Sequence, residues 1–241
     1  MRLHALQYLR AVAALAVVYS HTAIQVEDYE QYLTETGSFG VDIFFVISGF
    51  IMIFIAKPDD RPVGFLKHRI RRVVPLYWFF TFLMAAILLL MPAVFKNTVF
   101  DLPALLLSLG FIPFWSTAHP HEAWPILAPG WSLNFEMYFY LIFALSLFLA
   151  ERYRIAFITL FISSVFVLAS YFNDGQSALA FFFSKSLVFE FILGMLLAVA
   201  WKRGFRIPAS TAAWLLLAAT CVLLIKLPLP RIFEYGLPSF F

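Results

Sequence analysis

The sequence predicts an all-α fold, a polytopic bundle of transmembrane helices, and three observations carry that expectation. Hydrophobic residues make up 63% of the 241 and charged residues only 13%, with a mean hydropathy of +0.88; a soluble domain carries about 25% charge. The apolar residues gather into runs as long as the ~20-residue helix that a bilayer core requires. The Lys and Arg residues cluster in particular connections between those runs, the asymmetry that orients membrane helices.

The first run, residues 3–23, is interrupted by Arg10 and His21. Eleven positions make three helical turns, so both side chains share one face, about 16 Å apart along the axis. A charge deep in a span costs at least ~2.5–3.5 kcal/mol, so such a stripe is expected to face a bundle interior or a cavity. The plainer reading has Arg10 snorkelling and His21 marking the interface. The run is too long for a cleaved signal peptide and lacks a small-x-small site, so it is expected to remain as a helix.

An acidic stretch with Glu27, Asp28, Glu30 and Glu35 leads to a second run, 39–56, holding Asp42, Ser48 and Gly49. Asp42, read as lying near the outer start of that helix, is expected to orient a neighbour or cap the helix. Gly49 permits close helix approach. Ser48 reads as part of that packing and not as a nucleophile. Next comes the most basic segment, with Lys57, Arg61, Lys67, Arg69, Arg71 and Arg72, before a third run at 73–94. Charge alone reads that segment as a cytoplasmic anchor.

The run at 102–115 is short and carries Pro103 and Pro113, and further runs occupy 131–150, 155–172, 179–201 and 211–225. If 102–115 does not cross, twelve Lys and Arg residues lie on the cytoplasmic side and four outside; if it crosses, the split is ten to six. The positive-inside rule favours the first, and a Pro-flanked apolar segment suits a re-entrant or interfacial element. The expected topology is about seven full spans, a cytoplasmic N-terminus, an outer cap over 96–130, and the start of a further span at 235–241. Within the run at 131–150, Ser132 and Tyr140 stand at i−4 and i+4 from Glu136, so the three share a face.

Composition also sets exclusions. The one cysteine, Cys221, permits no intrachain disulfide. The net charge of +3 gives no sign of nucleic-acid binding. His119-Pro-His121-Glu122 has the wrong spacing for zinc, so no metal is expected; it reads as the rim of an acceptor pocket.

Four motifs in order carry a family resemblance: Arg10-x10-His21, GVDIFFVISGF at 40–50, Arg69-x-x-Arg72 running into VPLYW at 74–78, and PGWSLNFEMYFY at 129–140. Together they resemble the membrane acyltransferase 3 family, in its ExoZ-like branch of exopolysaccharide and O-antigen O-acyltransferases. FEFILGMLLA at 189–198 is also similar. The resemblance implies a bacterial inner-membrane enzyme that moves an acyl group, commonly acetyl, from cytoplasmic acyl-coenzyme A to a sugar hydroxyl on the far side. Family members usually continue for roughly three more spans, so the chain reads as a single acyltransferase-like domain, incomplete at its C-terminus.

The residue chemistry is compatible with that reaction. His21 is the candidate base for a sugar hydroxyl, or less directly an acyl carrier. Glu136 is the candidate to orient His21 or to bind the sugar, its plain reading being a structural carboxylate. Arg10 is placed to stabilise an oxyanion or hold the thioester, and Arg69 and Arg72 to grip the phosphates of acyl-CoA. Asp42, Ser132 and Tyr140 are supporting residues. The expected partners are acyl-CoA, a sugar or polysaccharide acceptor and the lipid bilayer. A carrier or flippase for a lipid-linked sugar is the alternative class, and an inactive acyltransferase fragment a third.

Overall fold

The computed structural model describes residues 4–23, 30–95, 99–208, 210–212 and 214. Among the described residues the regular structure is helical throughout: α1 (His4–Ala23), α2 (Glu30–Ile55), α3 (Pro62–Leu90), α4 (Leu102–Leu109), α5 (Trp131–Ser146), α6 (Glu151–Tyr171), α7 (Ala178–Phe183) and α8 (Val188–Lys202), with 3₁₀ turns at Pro92–Val94 and Ala128–Gly130. Of the expected span at 211–225 only residues 211, 212 and 214 are described, and the apolar restart at 235–241 lies outside the described residues. The helices fall into two units, one of residues 1–56 with 186–241 and one of residues 57–185.

In the first unit α2 packs between α1 and α8. The close approach expected at Gly49 is present: a Cβ there would stand 2.0 Å from the carbonyl oxygen of Phe191, and one on Gly194 would stand 2.0 Å from that of Val46. Gly40 makes the matching approach to α1, where a Cβ would come within 2.5 Å of the Ala13 carbonyl oxygen. Lipid tails are as apolar as Leu, so helices in a membrane gain little from burying apolar surface together. Backbone proximity at small residues supplies the attraction instead.

The second unit is held together at both ends. At one end Arg154, 5% exposed, donates to the carbonyl oxygens of Leu149, Lys57 and Pro58 at 3.2, 3.3 and 3.2 Å. This brings the 57–58 and 149–154 stretches together. At the other end the Trp115 indole N–H donates to the Gln176 carbonyl at 2.8 Å, and the Trp115 ring packs on Phe181.

Among the described residues, those between α3 and α5 form no helix long enough to cross. The eight residues of α4 make about 12 Å, against the ~30 Å of a hydrocarbon core. Asp101 caps α4 by accepting from the Ala104 N–H. Beyond α4, Phe111 takes a φ of 57° and lays its ring on Tyr77 at 4.7 Å. Tyr77 and Trp78 donate to the Ser108 and Leu109 carbonyls, and the Ser108 hydroxyl accepts from the Ile126 N–H. Irregular backbone at membrane depth is tolerated when protein satisfies it in this way.

Three stretches among the described residues, 62–90, 151–171 and 178–202, are long and apolar enough to cross a membrane, and His4–Tyr19 and Phe39–Ile55 are shorter apolar helices. The third combines α7 and α8 across a break at 184–187. The run at 131–150 yields only the sixteen residues of α5, about 24 Å. Four of the six basic residues expected before the third span, Lys67, Arg69, Arg71 and Arg72, lie on α3 itself, which starts at Pro62. Leu76, Phe79, Phe82, Leu90, Leu160 and Leu168 are all exposed. Solvent-facing apolar side chains at this density are those of a membrane protein, whose outer surface meets lipid.

Candidate active site

The second unit brings three predicted residues together through aromatic side chains. α5 runs antiparallel to α3: its start at Gly130 lies against Tyr77, midway along α3, and Tyr140 and Phe143 lie against Phe65 near the start of α3. Glu136 therefore sits beside the Pro62 half of α3, at the level of Arg69, whereas the sequence reading set it near the outer end and Arg69 at the cytoplasmic mouth. The cause is the chain before α5, which already lies against the middle of α3 where the helix begins, at Gly130 beside Tyr77.

At that level the Tyr140 hydroxyl donates to a Glu136 carboxylate oxygen one turn earlier on α5. The Arg69 guanidinium is 4% exposed and lies over two rings, 5.2 Å from the centre of Phe65 and 5.5 Å from that of Tyr140. Phe65 and Tyr140 meet edge to face at 6.2 Å, and Phe65 packs on Phe143 at 5.0 Å. Glu136 and Arg72 are the other charges that act on Arg69. A guanidinium is weakly hydrated and planar, so it tolerates burial between aromatic faces that an ammonium would resist. Arg72, three residues further along α3, is exposed. The two arginines thus share a helix but occupy different surroundings. Ser132, the other residue on the Glu136 face, is half-buried.

The first unit holds Arg10 and His21, both on α1, the former half-buried and the latter exposed. It also holds Asp42. Because α2 begins at Glu30, Asp42 lies twelve residues, about 18 Å, inside the helix and cannot cap it. It stands opposite Glu190 of α8, which is 3% exposed. Nothing in the sequence pairs Asp42 with Glu190, because only the packing of α2 on α8 places the two carboxyls together. It also missed the burial of Arg154, which reads in sequence as one more positive-inside charge.

Outside these groups, the His119 ring packs on Trp124 at 4.8 Å and the His119 backbone N–H donates to the Ser116 hydroxyl at 3.2 Å. Among the described residues no three His, Cys, Asp or Glu side chains converge as metal ligands would.

With this geometry in place, comparison with known proteins is informative. A family model described as an acyltransferase domain matches residues 3–240. The chain belongs to the acyltransferase 3 family. This acyltransferase chain is 40% identical to the exopolysaccharide production protein ExoZ of Rhizobium meliloti (strain 1021), over 71% of this chain and 53% of that protein. It is 30% identical to the acyltransferase MdmB of Streptomyces mycarofaciens, over 91% of this chain and 63% of that protein. The acyltransferase chain thus spans less than two thirds of the length of either relative. No solved structure matches it.

Proposed function

We propose that this protein is a bacterial inner-membrane O-acyltransferase, with its N-terminus in the cytoplasm. It takes an acyl group, acetyl in the simplest case, from cytoplasmic acyl-coenzyme A and passes it to a hydroxyl of an extracytoplasmic or lipid-linked sugar. What supports this above all is the acyltransferase domain match over residues 3–240, which includes the motif residues Arg10, His21, Arg69, Arg72 and Glu136.

The residues take the following parts. His21 accepts the proton of the sugar hydroxyl as its oxygen attacks the thioester carbonyl carbon. A tetrahedral intermediate forms, and Arg10 offsets the charge on its oxyanion. The C–S bond then breaks, the ester forms, and the coenzyme A thiolate takes the proton from His21, so that no proton is gained or lost overall. Glu136, its carboxylate held by the Tyr140 hydroxyl, binds the acceptor sugar. Arg72, exposed on α3, engages the donor's phosphates, for which a guanidinium is geometrically suited.

The deciding experiment follows label from radioactive acetyl-coenzyme A into an exopolysaccharide acceptor, using membranes that hold the full-length protein. A base contributes typically about 10²–10⁴-fold to rate. His21→Ala and His21→Gln are both expected to lose transfer on that scale while inserting normally, since Gln keeps polarity but accepts no proton. Substantial transfer by His21→Gln would remove His21 as the base.

A further inference from the structure

The two arginines of Arg69-x-x-Arg72 sit in contrasting places: Arg72 is exposed, whereas Arg69 is 4% exposed and enclosed by rings. A phosphate reaching Arg69 would have to displace Phe65 or Tyr140, both of which lie within cation–π range of it. The Tyr140 ring carries the arginine charge on its face, and its hydroxyl donates to Glu136. A buried charge restrains its aromatic partners, because moving either one strips the guanidinium of compensation that water cannot replace. The restraint reaches the Glu136 carboxylate through one hydrogen bond.

We propose that Arg69 is a positioning residue: its guanidinium braces the Tyr140 ring, and Tyr140 fixes the Glu136 carboxylate for the acceptor, while Arg72 alone of the pair engages the donor. This rests on the acyltransferase reading above and divides the labour of a motif that sequence treats as one unit. Glu136 needs such support because a carboxylate on a helix samples several rotamers, and one held hydrogen bond selects among them. Tyr140, one turn away, supplies the bond. Arg69 comes from another helix and ties that local pair to α3.

The test uses Tyr140→Phe, Arg69→Lys, Arg69→Ala and Arg72→Ala in the full-length protein, purified in detergent. Acetyl-coenzyme A binding is measured directly, and transfer kinetics are measured against both donor and acceptor. Tyr140→Phe and Arg69→Ala are expected to lower kcat, or raise the acceptor KM, by about ten- to a hundredfold, the scale of one charge-assisted hydrogen bond. Donor Kd should stay within about twofold of the parent, the scatter expected where no contact is lost. Arg72→Ala should show the reverse pattern. The Arg69→Ala/Tyr140→Phe double variant should be no worse than its weaker single, since both act through one carboxylate. Arg69→Lys keeps a cation over the rings and should recover part of the rate, which separates positioning from failure to fold.

A rise in donor Kd for Arg69→Ala and Arg69→Lys equal to that for Arg72→Ala, with kcat kept, would overturn the positioning role and leave the acyltransferase reading standing. A parent protein that neither binds acetyl-coenzyme A nor transfers its acetyl group would overturn that reading and this proposal with it.

Discussion

Substituting Gly49 with Ala adds one methyl group and should disrupt the first unit. The new Cβ would stand 2.0 Å from the Phe191 carbonyl oxygen, where real Cβ atoms essentially never come closer than 3.0 Å. The obstacle is main chain, backed by the Phe191 carbonyl carbon at 2.9 Å and the Met195 nitrogen at 3.1 Å, so no side chain can swing away. α2 and α8 must separate by about 1 Å, the difference between the two distances. Overpacking a tight site costs about 1–3 kcal/mol, and a rigid backbone partner puts Gly49→Ala at the upper end, about 3 kcal/mol. Gly194→Ala meets the Val46 carbonyl oxygen at the same 2.0 Å and should cost as much. Once one substitution has parted the helices, the second meets little resistance, so the double variant should be less destabilised than the two singles added together. Gly64→Ala is the control. It lies near the start of α3 with nothing within 4 Å of its Cβ, and should be neutral or gain up to about 1 kcal/mol of helix propensity. Thermal unfolding of the purified variants in one detergent reads all four. Full additivity, or a Gly49→Ala variant as stable as the parent, would refute the backbone contact.

Two further predictions concern the second unit. Arg154→Met should destabilise by about 1–3 kcal/mol, because three part-buried carbonyls lose a charged donor; thermal unfolding checks it, and an unchanged midpoint would mean that water replaces the guanidinium. In a Cys221→Ser background, a cysteine at position 59 should react with an impermeant thiol reagent from the cytoplasm and one at position 121 from outside, as the charge distribution implies. Reaction of position 121 only from the cytoplasm would overturn that orientation.

The helical class and the family were legible because both are written locally. Hydropathy marks helices that face lipid, and Arg10, His21 and Glu136 stand out as polar residues in apolar surroundings. Gly49 was legible for a related reason, since a glycine amid large apolar residues in a membrane helix points to a neighbouring backbone. The length of α5 was not legible. Leu147 to Ala150 are as apolar as the helix before them, and hydropathy does not distinguish an apolar turn from an apolar helix. The surroundings of Arg69 were half-visible: Phe65 lies at i−4 on the same helix, but Tyr140 arrives from α5 and only tertiary packing supplies it. Asp42 and Glu190 failed to pair in the sequence for the same reason.

The bare contact between α2 and α8 also bears on movement. Helices separated by a layer of side chains slide past one another through small rotamer adjustments, the usual route of shear motion. At Gly49 and Gly194 that layer is missing, and the main chains touch carbonyl to Cα. A shift of one residue along this seam would bring a Cβ where only hydrogen fits, so the pair has one register and nothing to slide on. α2 and α8 must therefore travel as one body through any working cycle. Whatever adjustment substrate entry or product release demands within this unit falls to joints cushioned by side chains.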